Sequence, residues 1–282
     1  GDNYNSIPLE YNYDYKNNII FDIKKEHIEE MLTISGEAFK LGVMNNDYGF
    51  YIMDNVLDII FIYNTKTKEV LSQEYIHEKY PLFKNINHFT SFCNSKNFLF
   101  ISGGEDETNN NQGQNLFIKI NLEEIKSNEL IYSNLTPLKY KRYWHSMIYI
   151  PEKYIYIIGG PGTKQTELYN IENNTIILSD SLNYERCEPS LVLVDNKYLY
   201  CICGFQLDNN FIDTIEKCDL NKRERKWEIV NYQIKSGEDI ILDRSLIVSF
   251  FGVSYIKNDI LLIGDKENNK VINPNYLLKP ND

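Results

Sequence analysis

A short apolar phrase that ends in small or polar residues recurs along the chain. Its clearest form is "YIYIIGG", residues 154–160, in which apolar positions follow one another without polar alternation. Such a run is typical of a strand that is covered on both faces of its sheet. Counting this one together with Lys153, five such phrases occur, at 49–55, 97–104, 153–160, 197–204 and 259–265. Their ends lie 49, 56, 44 and 61 residues apart, which is the length of a supersecondary repeat.

A second apolar segment precedes each phrase, and turn-forming residues separate the two. The preceding segments span 39–44, 88–93, 145–150, 190–194 and 249–256. The separators, such as Asn45-Asn46-Asp47 and Lys257-Asn258-Asp259, are typical of tight hairpins. We therefore predict that every repeat begins with an antiparallel β-hairpin.

A polar loop and a more alternating pair of segments follow the first four phrases. These pairs span 58–71, 115–133, 166–179 and 214–232. Because apolar and polar residues alternate there, the pairs should form the outer, half-exposed strands of each sheet. Four strands in about 50 residues, repeated radially, are typical of a β-propeller blade.

The order of a hairpin, a glycine doublet and a later aromatic residue resembles the kelch repeat. Two doublets, Gly103-Gly104 and Gly159-Gly160, match the family pattern fully. Two others, Cys203-Gly204 and Gly264-Asp265, match half of it, whereas Asp54-Asn55 does not match. A doublet after a buried strand allows positive φ angles and close backbone approach where inner strands converge. We expect the glycines to shape crowded turns and not to bind phosphate, because "GGPG" lacks the spacing of a nucleotide-binding loop.

Two aromatic residues extend the resemblance beyond the doublets. Tyr169 fits the family's downstream aromatic position, and Trp227 fits its outer-strand tryptophan. The resemblance covers residues 38–275 and implies an all-β fold, a kelch-type β-propeller of four-stranded antiparallel blades. The five inner hairpins predict five blades, or six if residues 1–37 contain another pair.

The two ends of the chain are complementary in pattern. Residues 9–23 resemble an outer hairpin without an inner partner, whereas residues 270–278 resemble an incomplete sheet. The resemblance implies that one terminus supplies a strand that the other lacks, which would remove exposed edges. We therefore expect an N-terminal extension or outer strand over 1–17 and a single propeller domain over 18–282, with the ring closed by pairing of N- and C-terminal strands.

Charge and cysteine content narrow the range of partners and compartments. Lys and Arg number 29 and Asp and Glu 40, so the net charge of −11 disfavours nucleic acid and anionic membranes. Apolar runs stay shorter than the roughly 18 residues that a membrane span requires. The five scattered cysteines, Cys93, Cys187, Cys201, Cys203 and Cys218, suit a reducing compartment. We expect a cytoplasmic chain that binds neither nucleic acid nor membrane.

Residues with catalytic chemistry do not form a recognisable pattern. The four histidines show no i,i+4 pair, and the cysteines show no C-x-x-C spacing. Cys201 and Cys203 would lie on the same face of one strand, where we expect them to be buried as small hydrophobic side chains. His145 and Ser146 would point to opposite faces of a strand, which is a poor geometry for a base and its nucleophile. We therefore expect no enzymatic activity, no cofactor and no metal.

Arginine recurs at a similar distance before the doublet position in three repeats, and the predicted binding surface is based on this recurrence. Arg142 and Arg186 each lie 18 residues before the second glycine position of their repeats, and Arg244 lies 21 residues before Asp265. In kelch propellers this position opens onto a face near the central channel, so the resemblance implies a partner-binding surface there. The predicted surface consists of Asn87, His88, Arg142, Tyr143, His145, Arg186, Glu188 and Arg244.

An exposed ring of arginines and aromatic residues would favour an acidic peptide or carboxylate partner. The alternative is that the arginines pair with acidic residues and backbone of neighbouring blades. We expect a non-catalytic protein–protein interaction module, the scaffold or substrate-recognition part of a larger protein. Two other functions stay open: an enzyme that acts on a small polar substrate at the channel mouth, and a binder of actin or the cytoskeleton.

Overall fold

The computed structural model has an all-β fold throughout the residues that it describes. These are residues 39–43, 48–53, 59–64, 69–75, 91–95, 97–106, 112–121, 132–208, 210–231, 234–236, 239–241, 250–256, 259–264, 266–267, 270–271 and 276–278. The strands form four four-stranded sheets, one five-stranded sheet and two short ribbons, and every pairing is antiparallel.

Consecutive segments of the chain build the first four sheets. The first sheet contains β1 (Phe39–Val43), β2 (Tyr48–Met53), β3 (Ile59–Asn64) and β4 (Glu69–Tyr75). The second contains β5 (Ser91–Asn94), β6 (Phe98–Ser102), β9 (Phe117–Asn121) and β10 (Tyr132–Asn134), with β7 (Glu105–Asp106) and β8 (Gln112–Gly113) paired as a ribbon. The third contains β11 (His145–Ile150), β12 (Tyr154–Gly159), β13 (Glu167–Asn170) and β14 (Thr175–Leu178). The fourth contains β15 (Ser190–Val194), β16 (Tyr198–Ile202), β17 (Ile215–Asp219) and β18 (Trp227–Val230).

The fifth sheet combines segments that are distant in sequence. Its strands are β19 (Ile234–Ser236), β20 (Asp239–Ile241), β21 (Phe250–Ile256), β22 (Asp259–Gly264) and β25 (Tyr276–Leu278), in the order β20-β19-β25-β22-β21. A ribbon of β23 (Lys266–Glu267) and β24 (Lys270–Val271) precedes β25. The C-terminal strand β25 therefore pairs with β19 on its outer side. The predicted N-terminal partner, residues 1–17, lies outside the described residues.

All five predicted hairpins and the first four outer strand pairs are confirmed. In the third sheet, β11 pairs with β12 from His145 opposite Gly159 to Ile150 opposite Tyr154. The three residues between these strands close a tight turn, in which the Lys153 N–H donates to the Ile150 carbonyl at 3.2 Å. The hairpins place each first strand beside the first strand of the next sheet along the chain, from β1 through β5, β11 and β15 to β21.

The central strand of the third sheet shows why its sequence is apolar on both faces. Ile155 and Ile157 pack in a core shared with the second sheet, where they join Phe100 and Phe117. The alternate residue Tyr156 packs in another core, shared with the fourth sheet. Residues of β12 are therefore buried in both directions, as the unbroken apolar run predicted.

The two ends of the sheets differ in the kind of connection they carry. We call one end the turn end, because the hairpin turns at 151–153, 171–174 and 195–197 lie there. We call the opposite end the loop end, because it carries the longer segments 135–144, 160–166, 179–189 and 203–214. The glycine doublets and the predicted arginines fall at the loop end.

Candidate functional site

Arg142 and Glu167 form a buried ion pair beneath the loop end, which we call the first anchor. Both side chains are 0% exposed, and Arg142 Nε lies 2.9 Å from Glu167 Oε1. The guanidinium also donates to the carbonyl of Gln165 at 2.6 Å and to the carbonyl of Gly159. Burial lowers the pKa of Arg142, and the neighbouring Glu167 carboxylate opposes that shift.

The carboxylate of the first anchor also holds the backbone of the incoming loop. Glu167 accepts hydrogen bonds from the N–H groups of Lys139 at 2.7 Å and Tyr140 at 3.2 Å. Charge-assisted bonds of this kind are among the stronger hydrogen bonds in proteins. The anchor therefore ties together the loop before β11, the third strand of the same sheet and the end of its second strand.

The same arrangement recurs in the fourth sheet as the second anchor, Arg186 and Glu216. Both side chains are again 0% exposed, and Arg186 Nη2 lies 2.7 Å from Glu216 Oε1. Glu216 accepts from the N–H groups of Asn183 at 2.7 Å and Tyr184 at 3.3 Å. Arg186 donates to the Cys203 carbonyl at 2.7 Å, which is the counterpart of the bond from Arg142 to Gly159.

The glycine doublets connect each anchor to the sheet before it. The N–H of Gly160 donates to the Arg186 carbonyl at 3.0 Å, and that of Gly104 donates to the Arg142 carbonyl at 2.9 Å. Gly159 and Gly160 have φ angles of +84° and +102°, and Cys203 adopts +57° at the equivalent of the first glycine. The predicted positive φ of the doublets is therefore present in the second, third and fourth sheets.

The predicted exposure of Arg142 and Arg186 needs correction. Their guanidinium groups are enclosed by the carboxylates and carbonyls of their own sheets, so a partner could reach them only if these bonds opened. The proposed alternative, pairing with acids and backbone, describes both residues, although the acids belong to the same sheet and not to a neighbour. Arg142 and Arg186 therefore hold the loops from inside their sheets and are not part of an exposed surface.

The other predicted residues divide into three groups. His145 is buried between the second and third sheets, where its Nε2 lies 2.7 Å from Ser102 Oγ. Tyr143 is half-buried and Glu188 exposed, and both lie at the loop end. Three further positions, Asn87, His88 and Arg244, lie outside the described residues.

The Ser102–His145 contact differs from a catalytic pair. Ser102 is 0% exposed, and its Oγ also lies 3.0 Å from Met147 Sδ. A nucleophile must reach its substrate, and this hydroxyl is enclosed between two sheets. The adjacent Ser146 donates a hydrogen bond to the Pro189 carbonyl.

Aromatic side chains cross the loop end from the third sheet to the fourth. The rings of Tyr143 and Trp144 have centroids 5.0 Å apart, and those of Trp144 and Phe205 lie 5.6 Å apart in an edge-on arrangement. Phe205 forms isolated antiparallel bridges with Cys187 on one side and Phe211 on the other. We call Tyr143, Trp144, Phe205 and Phe211 the aromatic row.

Backbone strain accompanies this row. Trp144 and Glu188, each two residues after an anchor arginine, have φ angles of +48° and +49°. The Glu188 N–H donates to the Trp144 carbonyl at 2.7 Å, so the two strained segments meet. Residues in this region of φ persist only where the surroundings fix them, and they concentrate at functional sites.

Large apolar side chains are exposed at the loop end, whereas the turn end is polar. Phe211 is 61% exposed and Leu207 is 53% exposed, and Tyr140 and Tyr184 are exposed beside the two anchors. The exposed residues at the turn end of the third sheet are instead Pro151, Glu152, Lys153, Glu172, Asn173 and Asn174. The loop end therefore has the composition of an interaction surface, in which aromatic residues are enriched.

The sequence prediction missed the anchor glutamates. A signal for the anchors exists in the repeated pattern L-x-Y-x-R-x-x-x-S, which spans 138–146 and 182–190. A second signal is a glutamate near the start of the third strand in these two sheets, Glu167 opposite Ile157 and Glu216 opposite Cys201. Both acids occupy the same register relative to their doublets.

The cysteines in the described residues are suited to packing and not to metal binding. Burial raises the pKa of the Cys201 thiol to about 12, which keeps it protonated near neutral pH. Within the described ranges, no group of three His, Cys, Asp or Glu side chains is placed to hold a metal ion. Over the same part of the chain, no helix is long and apolar enough to cross a membrane.

Comparison with known proteins identifies the fold alone. No protein-family model and no curated protein matches the sequence. Among solved structures, the structure of YjhT is similar with a TM-score of 0.59 and 11% sequence identity, over 80% of this chain and 71% of that chain. The likeness is to a β-propeller-like arrangement of antiparallel four-stranded sheets.

Proposed function

We propose that the chain is a kelch-type β-propeller whose five sheets are its blades, and that it acts as a non-catalytic module that binds a protein or peptide at its loop end. The glycine doublets, the antiparallel hairpins and the succession of first strands support the architecture. The binding function rests on one observation, the exposure of Tyr140, Tyr184, Leu207 and Phe211 at the loop end. Closure of the ring by strands from the two termini remains part of the proposal.

The anchors support this function by fixing the loops that carry the exposed side chains. Tyr140 and Tyr184 donate their backbone N–H groups to the anchor carboxylates, so their positions are set from inside the sheet. A surface that is ordered before binding loses less conformational entropy on association. Rigid loops with exposed aromatic side chains are therefore suited to specific recognition.

A comparison of two variants tests the proposal. The loop-end variant carries Tyr140→Ala, Tyr184→Ala and Phe211→Ala, and the matched control carries Ile177→Ala and Ile229→Ala, which are exposed apolar residues on outer strands. Each chain is immobilised, and proteins captured from the source cells are quantified by mass spectrometry. We expect a stoichiometric partner that the control retains and the loop-end variant loses.

Only exposed side chains are truncated, so each variant should fold like the wild-type chain. The melting temperature of each variant confirms this. Retention of every captured protein by the loop-end variant would exclude this surface. Loss of the partner from the control alone would place the binding site on the outer strands instead. Arg142→Glu is unsuitable for this test, since it would put a second carboxylate against Glu167 in a closed site.

A further inference from the structure

We propose that the loop end of the fourth sheet binds a basic segment, in which a lysine or arginine lies next to an apolar residue. The proposal rests on the proposed binding function and names the chemistry of the partner. We call this surface the acidic sector, and it comprises the exposed Phe211 and Leu207 together with the acidic residues of segments 179–189 and 203–214.

The charge of the loop end changes from one sheet to the next. Loops of the third sheet, 135–144 and 160–166, carry Lys139, Lys141 and Lys164, all exposed. Loops of the fourth sheet carry Asp180, Glu185, Glu188, Asp208 and Asp213. Each pair of loops contains one arginine, and that arginine is buried in an ion pair with its anchor glutamate. In these two segments of the fourth sheet, the described basic residues therefore reduce to the enclosed Arg186, and the exposed charges are acidic.

Backbone pairing within the acidic sector connects two of its carboxylates to its aromatic residues. Cys187 pairs with Phe205, which pairs in turn with Phe211, so the three residues lie side by side across short extended segments. Burial, and after it the charges of Glu185 and Glu188, raise the pKa of the Cys187 thiol to about 12. The carboxylates of Glu185 and Glu188 thus lie near Cys187, which pairs with Phe205.

This combination fits a basic partner better than an acidic one. A lysine or arginine side chain can place its apolar stem on an aromatic ring while its charge faces a carboxylate. An acidic segment would meet only like charges from the loops of the fourth sheet, which disfavours its binding. The acidic partner expected from the sequence depended on exposed arginines, and Arg142 and Arg186 are enclosed.

Selection of random 12-residue peptides displayed on phage against the immobilised full chain tests the inference. We expect the selected peptides to be enriched in Lys and Arg over Asp and Glu. Their affinity should fall when NaCl is raised from 50 to 500 mM, because salt screens exposed charges. Phe211→Ala should weaken a selected peptide at least about fivefold, a loss that truncation of only a minority of interface residues causes.

A charge-reversed pair of variants provides the matched control. Lys141 and Glu185 occupy the same position, one residue before each anchor arginine. Glu185→Lys should weaken a selected basic peptide at least about threefold, the scale of exposed charge pairs, whereas Lys141→Glu should change its affinity less than twofold. Melting temperatures of all variants confirm that the fold is retained.

The outcomes separate this inference from the proposed function. Acidic or neutral peptides that lose affinity in Phe211→Ala would leave the loop end as the binding surface and overturn the basic partner. Basic peptides that bind equally well to Phe211→Ala and Glu185→Lys would also overturn it. A selection that enriches no peptide, or only peptides insensitive to every loop-end substitution, would contradict both proposals.

Discussion

Glu167→Gln is the substitution that tests what the first anchor contributes to stability. The carboxylate is 0% exposed, pairs with Arg142 at 2.9 Å and accepts the backbone N–H groups of Lys139 and Tyr140. Glutamine preserves the shape and one acceptor oxygen, but it removes the charge and turns an NH2 group towards these donors. Arg142 is then left as a buried cation without its counter-charge.

The expected loss follows from the burial of the pair. Breaking a buried ion pair by removing one partner costs about 3 to 5 kcal/mol. At about 2.1 cal/mol/K per residue, the entropy of unfolding is about 0.6 kcal/mol/K for the 282 residues taken as one cooperative unit. Division of the two quantities gives a fall in melting temperature of about 5 to 8 °C.

Differential scanning calorimetry at pH 7 measures this fall. Glu228→Gln is the matched control, because Glu228 is 64% exposed and lies 3.6 Å from Lys222 in a pair that solvent screens. Exposed pairs contribute less than about 1 kcal/mol, so the control should melt less than about 2 °C below wild type. The double variant of Arg142→Met and Glu167→Gln should lose less than the sum of the single losses, because no unpaired charge remains. A Glu167→Gln protein that melts like the control would refute the reasoning.

Two further predictions concern the glycine doublet and the buried thiols. Gly159→Ala would place a Cβ 2.6 Å from the Arg186 carbonyl oxygen, whereas Gly162→Ala would meet nothing within 4 Å, although both glycines have positive φ, +84° and +69°. The first variant should therefore melt well below the second, and equal melting temperatures would show that the close approach is unimportant. Cys201 should resist iodoacetamide at pH 8 in the folded protein and react in urea, as measured by mass spectrometry, because burial raises its thiol pKa from 9.0 to about 12. Equal alkylation of Cys201 in the folded and the urea-unfolded protein would contradict its burial. The stability that is linked to the raised pKa is complete below pH 9 and is lost as the pH rises towards 12.

The strands could be predicted from the sequence because the apolar runs and turn residues of each repeat lie close together along the chain. In β12 the unbroken apolar run reflects two cores, with Ile155 and Ile157 on one side and Tyr156 on the other. The order of the fifth sheet could not be predicted in the same way. Residues 276–278 pair with 234–236, and no local pattern specifies a pairing between segments about 40 residues apart.

The burial of the anchor arginines was also beyond the sequence pattern. Arginine is rarely enclosed unless it is paired, so a recurring arginine predicts exposure. The spacing correctly identified Arg142 and Arg186 as equivalent positions, but it did not reveal their carboxylates. Glu167 follows Arg142 by 25 residues and Glu216 follows Arg186 by 30, since the loop between second and third strands differs in length. Only the register of the strands shows that the two acids are equivalent.

The anchors separate the residues that stabilise the loop end from those that can recognise a partner. Leu138, Arg142 and their counterparts are buried, whereas the residues between them are exposed or half-exposed. Lysine and glutamate can therefore alternate at 141 and 185 without a change in the bonds that hold the backbone. Glu185→Lys should weaken the binding of a basic segment, and substitutions at both positions should leave the melting temperature unchanged, while Glu167→Gln should lower the melting temperature. If charge reversal at 185 instead destabilised the fold as much as loss of Glu167, the loop end would be a part of the core and not a surface free to vary from sheet to sheet.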